Sequence, residues 1–151
     1  MKDTDRDKHM AAEAAVAEVR DGMLVGIGTG STVAFAIAAL IARGARIETV
    51  ATSEDSAAKA RAGGLVVRDF AAVARVDLTI DGADEIDARF VAIKGAGGAL
   101  LREKIVAAAS TRMIVIADGS KQVAAVGVAK LPVEVLPFAR GFVAARLEAL
   151  G

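Results

Sequence analysis

Short apolar runs alternate with longer, alanine-rich stretches along most of the chain. Strands are predicted at residues 23–27, 47–51, 65–67, 76–80 and 113–117, with a shorter candidate at 90–93. Helices are predicted at residues 4–20, 32–42, 53–62 and 99–109. Strands that alternate with helices at this spacing are typical of a mostly parallel sheet covered on both faces. The pattern therefore predicts an α/β fold with an open, mostly parallel, Rossmann-like sheet and helices on both faces.

The C-terminal residues depart from this alternation. An apolar run at residues 130–136, with Pro132 and Pro137, predicts a strand at a sheet edge or a domain crossing, and a short helix is predicted at 139–150. We therefore expect an α/β domain over residues 1–129 and the beginning of a second, smaller and incomplete α/β domain over 130–151. Because the chain stops directly after the last helix, we expect it to be shorter than the protein from which it derives.

Composition excludes several classes of function. The 19 basic and 19 acidic residues cancel, and the only aromatic residues are five phenylalanines, which argues against a nucleic-acid partner. The absence of cysteine excludes disulfides and thiolate nucleophiles and fits a reducing, cytoplasmic location. A single histidine, His9, disfavours a histidine-rich metal site or a Ser-His-Asp triad. The available chemistry is that of carboxylates, lysines, hydroxyls and backbone amides.

One segment has the length and apolarity of a membrane span. Residues 22–42 carry no charge, and 21 residues are enough to cross a bilayer. Three glycines and three hydroxyls within residues 26–32 favour a strand, a glycine turn and a buried helix instead. The N-terminus mixes acids with bases and lacks the apolar core of a secretory signal. We therefore expect a soluble protein with no membrane partner.

The loop after the first predicted strand suits a phosphate. It contains Gly28, Thr29, Gly30, Ser31 and Thr32 and leads directly into a helix. Amides, hydroxyls and the positive end of the helix dipole would meet there. The Walker A lysine is missing, and Ser31 stands where a dinucleotide motif needs glycine. A tight strand-to-helix turn that needs glycine for its backbone angles is an equally good interpretation.

Four acids follow the strand at residues 76–80. Asp81, Asp84, Glu85 and Asp87 lie within seven residues, so the loop is either a solvated turn or a site. Acid spacing alone makes a metal site conceivable, but no histidine or second acidic cluster supports it.

Two further loops combine glycine with ionisable groups. Lys94 precedes a glycine-rich turn, and Glu103 follows early in the next helix, which gives either an anion site beside a base or a solvated helix face. The helix dipole and nearby cations are expected to favour the ionised form of Glu103. Residues 118–121 add a hydroxyl and an ammonium. Four polar, glycine-bearing loops after apolar strands favour a shared site at one sheet edge.

These loops resemble ribose-5-phosphate isomerase of type A. The matching segments are Gly28-Thr29-Gly30-Ser31-Thr32, Asp81-Gly82-Ala83-Asp84-Glu85, Lys94-Gly95 through Arg102-Glu103-Lys104, Asp118-Gly119-Ser120-Lys121-Gln122 and Leu131-Pro132-Val133-Glu134-Val135. Each is weak alone, but five in the family's order and spacing are specific. The resemblance implies interconversion of D-ribose 5-phosphate and D-ribulose 5-phosphate in the pentose phosphate pathway, without a metal or organic cofactor. It also implies a homo-oligomer, with a dimer favoured.

The resemblance implies a role for each matching position. Glu103 would be the base that moves a proton between C2 and C1, Lys94 would stabilise the oxyanion, and Asp81 would help open the sugar ring. Asp84 would bind sugar hydroxyls. The implied substrate-binding residues are Thr29, Gly30, Ser31, Thr32, Asp81, Gly82, Ala83, Asp84, Lys94, Gly95, Ala96, Gly97, Lys121 and Lys8.

Two other interpretations remain open. A non-catalytic sugar-phosphate sensor needs the phosphate loop but no base, so Glu103 beside Lys94 argues against it. An inactive fragment of the isomerase is the second, because family members usually continue through a smaller domain and return to complete the main sheet. Leu101 stands where the family often has a polar residue.

Overall fold

The predicted alternation of strands and helices is present in the computed structural model of the protein, which describes residues 3–151. The helices are α1 (Asp3–Ala17), α2 (Ser31–Arg43), α3 (Glu54–Ala62), α4 (Leu100–Ala108) and α5 (Arg140–Glu148). The strands are β1 (Leu24–Ile27), β2 (Glu48–Ala51), β3 (Val66–Val67), β4 (Val76–Gly82), β5 (Glu85–Ile86), β6 (Ala92–Ile93) and β7 (Ser110–Ile116). Short 3₁₀ helices span Phe70–Ala72, Gly119–Lys121 and Pro137–Ala139.

Five strands form one parallel sheet in the order β3-β2-β1-β4-β7. Ile27 of β1 is in register with both Ala51 of β2 and Ile80 of β4, so β1 and β2 end at the same level and β4 continues two residues further in the same direction. The loops that follow them therefore start from one edge of the sheet. The prediction of a parallel α/β sheet is confirmed.

Helices cover both faces of this sheet. Val25 and Ile27 of β1 belong to a buried apolar cluster that includes residues of α1 and α2. Gly26 faces the other way, because a Cβ there would lie 2.1 Å from Thr79 Oγ1 and 2.8 Å from Val106 Cγ1 of α4. The alternation along β1 thus separates the α1–α2 layer from α4, and a glycine is needed where α4 approaches the sheet most closely.

The predicted strand at residues 130–136 is wrong. No strand is assigned there, and none of its backbone N–H groups donates to another segment of residues 3–151. Without a neighbouring strand an apolar run has no ladder to join, and Pro132 has no N–H to offer. The helix predicted after it is present as α5.

A small antiparallel hairpin was missed. β5 pairs with β6 next to the main sheet, and only the second of these strands, near residues 90–93, was predicted. The hairpin holds the segment after β7, because Val123 N donates to Ile86 O (3.0 Å) and Gly127 N donates to Glu85 Oε2 (2.8 Å). These two hydrogen bonds hold the segment after β7 next to the edge of the sheet where the loops meet.

The uncharged stretch at residues 22–42 contains β1, the glycine turn and most of α2, as predicted. Within residues 3–151, no helix is both long enough and apolar enough to cross a bilayer.

Candidate active site

The loops after β1, β4 and β6 enclose a cavity of about 130 Å³ with the N-terminal part of α4. Its lining consists of Thr29, Gly30, Ser31, Thr32, Gly82, Ala83, Asp84, Lys94, Gly95, Gly97, Glu103 and Lys121. All twelve were predicted as site residues, although they come from four separate segments of the chain. The parallel sheet brings these segments together because its strands end at one edge.

The three remaining predicted positions lie directly beside this cavity. Asp81 is fully buried at the end of β4. The backbone N–H of Ala96 donates to Asp84 Oδ2 (3.0 Å), which fixes the turn after Lys94. Lys8 of α1 donates from Nζ to Ser31 Oγ (3.0 Å).

Gly28 lets the first loop close over Asp81. A Cβ at Gly28 would lie 1.9 Å from Asp81 Oδ1, far inside contact distance. The same oxygen accepts hydrogen bonds from Thr29 N (3.3 Å) and Gly82 N (2.7 Å). Asp81 therefore joins the loops after β1 and β4, and the glycine is required by this close approach.

Lys94 connects two buried carboxylates. Its Nζ lies 2.9 Å from Asp81 Oδ2 and 3.0 Å from Glu103 Oε2, and it also donates to Gly82 O. The side chain of Glu103 is 7% exposed and that of Lys94 is 12% exposed. Asp81 Oδ2 accepts no hydrogen bond of good geometry from residues 3–151, so its contact with Lys94 is mainly electrostatic. One cation thus stabilises two acids in a region with little solvent.

The environment of Glu103 raises the pKa of its carboxyl group above the usual value. Burial is the largest cause, and the charge of Asp81 acts in the same direction. Lys94 lowers the pKa but does not outweigh them. Lys94 favours the ionised form of Glu103, as the sequence led us to expect, but burial, which that expectation left out, has the larger effect. A raised pKa makes the carboxylate a stronger base.

The opposite end of the cavity is suited to an anion. α2 begins at Ser31, and no side chain among residues 3–151 caps its first amides. Lys121 lines the cavity, and Lys8 lies beside Ser31 and 4.0 Å from Asp118 Oδ2. A hydrogen bond from the Ser120 hydroxyl lowers the pKa of Asp118, so this carboxylate stays charged and holds Lys8. Hydroxyls, free amides and two lysines converge as a phosphate requires.

Two residues of the site were missed by sequence reasoning. Thr52 Oγ1 lies 2.7 Å from Thr29 Oγ1, and the Ser56 hydroxyl donates to Gly28 O (2.7 Å). Both follow β2, whose end is level with that of β1. Ligands bind beyond the carboxyl ends of parallel strands, and this holds for the loop after β2 as it does for the loops after β1 and β4. The position of Thr52 and Ser56 after a predicted strand was therefore a signal that the sequence already contained.

A larger cleft of about 570 Å³ lies elsewhere, between α3, α4 and the segment after β3. Arg61, Arg68 and Arg102 line it, but it contains none of the predicted site residues. Residues 3–151 contain no cluster of three or more histidine, cysteine or acidic side chains arranged to bind a metal ion. The predicted catalytic residues Lys94 and Glu103 thus line the smaller cavity and not the larger cleft.

Comparison with known proteins agrees with this arrangement. The family model for ribose 5-phosphate isomerase A (phosphoriboisomerase A) matches residues 48–151. The ribose-5-phosphate isomerase A of Sphingopyxis alaskensis is 60% identical over 148 residues, which cover 96% of this chain and 65% of that protein. The chain thus spans slightly less than two thirds of that relative's length.

Two solved structures have the same fold. The ribose 5-phosphate isomerase A of Neisseria gonorrhoeae superimposes with a TM-score of 0.94 at 43% identity, covering 98% of this chain and 67% of that one. A D-ribose-5-phosphate isomerase in complex with phospho-erythronic acid gives a TM-score of 0.91 at 33% identity, covering 97% of this chain and 66% of that one. With the family match over more than half of its residues, the chain belongs to the ribose 5-phosphate isomerase A family.

Proposed function

We propose that this chain interconverts D-ribose 5-phosphate and D-ribulose 5-phosphate in the pentose phosphate pathway. The observation that carries this proposal is the position of Lys94 Nζ, within 3.0 Å of both Asp81 and Glu103, in the cavity that also contains the start of α2. The reaction reduces C1 while it oxidises C2 of the same molecule. It therefore needs a proton carrier and a stabilised oxyanion but no external redox partner.

The phosphate binds where α2 begins. Ser31 and Thr32 offer hydroxyls and uncapped backbone amides there, and Lys8 and Lys121 supply positive charge. This anchor places the other end of the sugar towards Lys94 and Glu103. A fixed phosphate converts proton transfer into a reaction between groups that are already positioned.

The furanose ring opens first. Asp81 accepts the proton of the O1 hydroxyl as the bond between C1 and the ring oxygen breaks, and it passes this proton to the ring oxygen, which becomes a hydroxyl while Asp81 returns to its carboxylate form. Asp84, which lines the cavity, binds sugar hydroxyls. The product of this step is the open-chain aldehyde.

Isomerisation then proceeds through a cis-enediolate. Glu103 removes the proton from C2, the electron pair forms the C1–C2 double bond, and the carbonyl oxygen O1 becomes an oxyanion. Lys94 stabilises this charge. The O2 proton passes to O1, and the protonated Glu103, which exchanges part of its protons with solvent while the enediolate is present, delivers a proton to C1, so that C2 becomes the ketone. Atoms and charge balance, and the carboxylate ends in its starting state.

A sensor of sugar phosphates would not explain the buried acid. Placing Glu103 in this cavity disfavours its charged form, and a carboxylate repels an anionic ligand. Such a cost is typical of a catalytic group and has no advantage for a site that only binds.

The test is a coupled assay of ribose 5-phosphate turnover by the 151-residue chain and its Glu103→Gln variant. Glutamine keeps the shape of the side chain and cannot accept the C2 proton, so we expect kcat to fall about 10²–10⁴-fold. Glu13→Gln, an exposed change on α1, is the matched control and is expected to retain full activity. Equal turnover by wild type and Glu103→Gln would refute the mechanism. If the wild type is inactive but ribose 5-phosphate raises its Tm, the chain is a binder only.

Three further expectations remain proposals. We infer a division into residues 1–129 and 130–151, assembly into a homodimer and a cytoplasmic location. Light scattering of the purified chain tests the dimer, and limited proteolysis near residue 130 tests the division.

A further inference from the structure

Thr52 occupies a buried position directly behind the phosphate loop. It is fully buried at the end of β2, and its backbone N–H donates to Ile27 O (3.0 Å). Its hydroxyl oxygen lies 2.7 Å from the hydroxyl oxygen of Thr29. Thr29 is partly exposed and lines the cavity. The two hydroxyls thus connect the buried end of β2 to the site.

Burial determines which threonine donates. A buried hydroxyl proton without an acceptor is costly, so the proton of Thr52 must be used. Within residues 3–151, Thr29 Oγ1 is the one hydrogen-bond partner of the Thr52 hydroxyl. Thr52 therefore donates to Thr29, and the proton of Thr29 remains available on the cavity side.

The backbone of the same loop is held by Ser56. Its hydroxyl donates to Gly28 O (2.7 Å) and accepts from Ser53 Oγ (3.0 Å). Gly28 immediately precedes Thr29, so the segment after β2 fixes both the backbone and the side-chain hydroxyl of the loop. An exposed hydroxyl group would not keep one orientation, because water offers it alternative hydrogen-bond partners.

We propose that Thr52 is a positioning residue, which donates its proton to Thr29 so that the Thr29 hydroxyl presents its own proton to a phosphoryl oxygen of the substrate. The inference rests on the proposed isomerase function and deepens it. Thr52 does not touch the substrate. Its effect is to make Thr29 a donor, which suits an anionic group that only accepts hydrogen bonds.

Thr52→Val tests this directly, because valine has the shape of threonine without the donor. We expect the KM for ribose 5-phosphate to rise about 5- to 10-fold, with kcat changed by less than about twofold. Thr52→Ser restores the hydroxyl and is expected to recover most of the wild-type KM. Should Thr52→Val not fold, Thr52→Ala replaces it in the same comparison.

Thr49→Val is the matched control. Thr49 is equally buried on β2, and its hydroxyl donates to Val66 O (2.8 Å), away from the cavity. This variant is expected to lower Tm without changing KM. If Thr52→Val behaves in the same way, or if Thr52→Ser fails to recover KM, the positioning role is refuted.

A double-mutant cycle with Thr29→Val separates coupling from independent damage. Once the Thr29 hydroxyl is absent, Thr52→Val is expected to change KM no further. Effects on KM that multiply would overturn the proposal. Calorimetric binding of ribose 5-phosphate distinguishes failure of the isomerase function from failure of the positioning role. Binding without turnover by the wild type contradicts the isomerase function. Unchanged affinity of Thr52→Val for ribose 5-phosphate contradicts the positioning role.

Discussion

Lys94→Met keeps most of the length of the side chain and removes the charge that two buried carboxylates share. Asp81 is fully buried and Glu103 nearly so, and both lie within 3.0 Å of the ammonium group. Removing one partner of a buried ion pair costs about 3–5 kcal/mol. For a domain of this size, that corresponds to a decrease in Tm of roughly 6–20 °C at pH 7.

The decrease should depend on pH in a defined direction. Without Lys94, Glu103 loses the charge that lowers its pKa, and burial, with the charge of Asp81, holds that pKa in the folded state above its value in the unfolded chain. The free-energy penalty of burying the charged Glu103 is therefore full at neutral pH, and it is relieved as the pH falls through the raised pKa and this carboxyl takes up a proton. We expect the difference in Tm between wild type and Lys94→Met to be smaller at pH 5 than at pH 7.

Thermal unfolding followed by circular dichroism at both pH values measures this difference. Lys104→Met, an exposed change on α4 next to Glu103, is the control and is expected to shift Tm little. Turnover by Lys94→Met is expected to fall about 10²–10³-fold through the lost oxyanion stabilisation. A Tm within about 2 °C of wild type at pH 7, or a gap that widens at pH 5, would refute the shared-cation geometry.

Four other experiments test separate parts of the site. Glu103→Gln is expected to raise Tm at pH 7 while it removes activity, because the fold disfavours the charged form that the variant lacks; a lower Tm contradicts the raised pKa. In the wild type, kcat/KM should decline on the acid side with an apparent pKa above the ordinary 4.5 of Glu103, and a decline centred at or below that value argues against this base. Gly28→Ala should destabilise the fold, since its Cβ would lie 1.9 Å from Asp81 Oδ1, whereas Gly141→Ala meets no atom within 4 Å and should be neutral in the same melting experiment. Lys8→Ala should raise the KM for ribose 5-phosphate about 10-fold with little change in kcat, and an unchanged KM places the phosphate elsewhere.

The parallel sheet and most of the candidate site could be predicted, because the alternation of apolar strands and helices indicates a parallel sheet and the sheet determines where the loops meet. The loops that follow parallel strands lie at one edge of the sheet and bind ligands there, even when the loops are far apart in the sequence. Lys94 and Asp81 are 13 positions apart in sequence and 2.9 Å apart in space for this reason.

The remaining features depend on contacts that one sequence does not specify. The apolar run at residues 130–136 has the composition of a strand but no partner strand, and pairing is a property of the fold. The pKa of Glu103 is raised mainly because the side chain is buried, and the burial of one side chain cannot be read from the charged residues near it in the sequence. Thr52 could have been found by applying the edge rule to β2, since its neighbour Ala51 is in register with Ile27.

The central claim is that Glu103 carries a proton between two carbons of a phosphorylated sugar through an enediolate. Turnover of ribose 5-phosphate in D₂O, with the ribulose 5-phosphate analysed by NMR, tests it most directly. The account predicts solvent deuterium at C1 of the product formed by the wild type, and labelled product formed about 10²–10⁴-fold more slowly by Glu103→Gln. Product formed without any deuterium at C1, or labelling by Glu103→Gln at the wild-type rate, would contradict it.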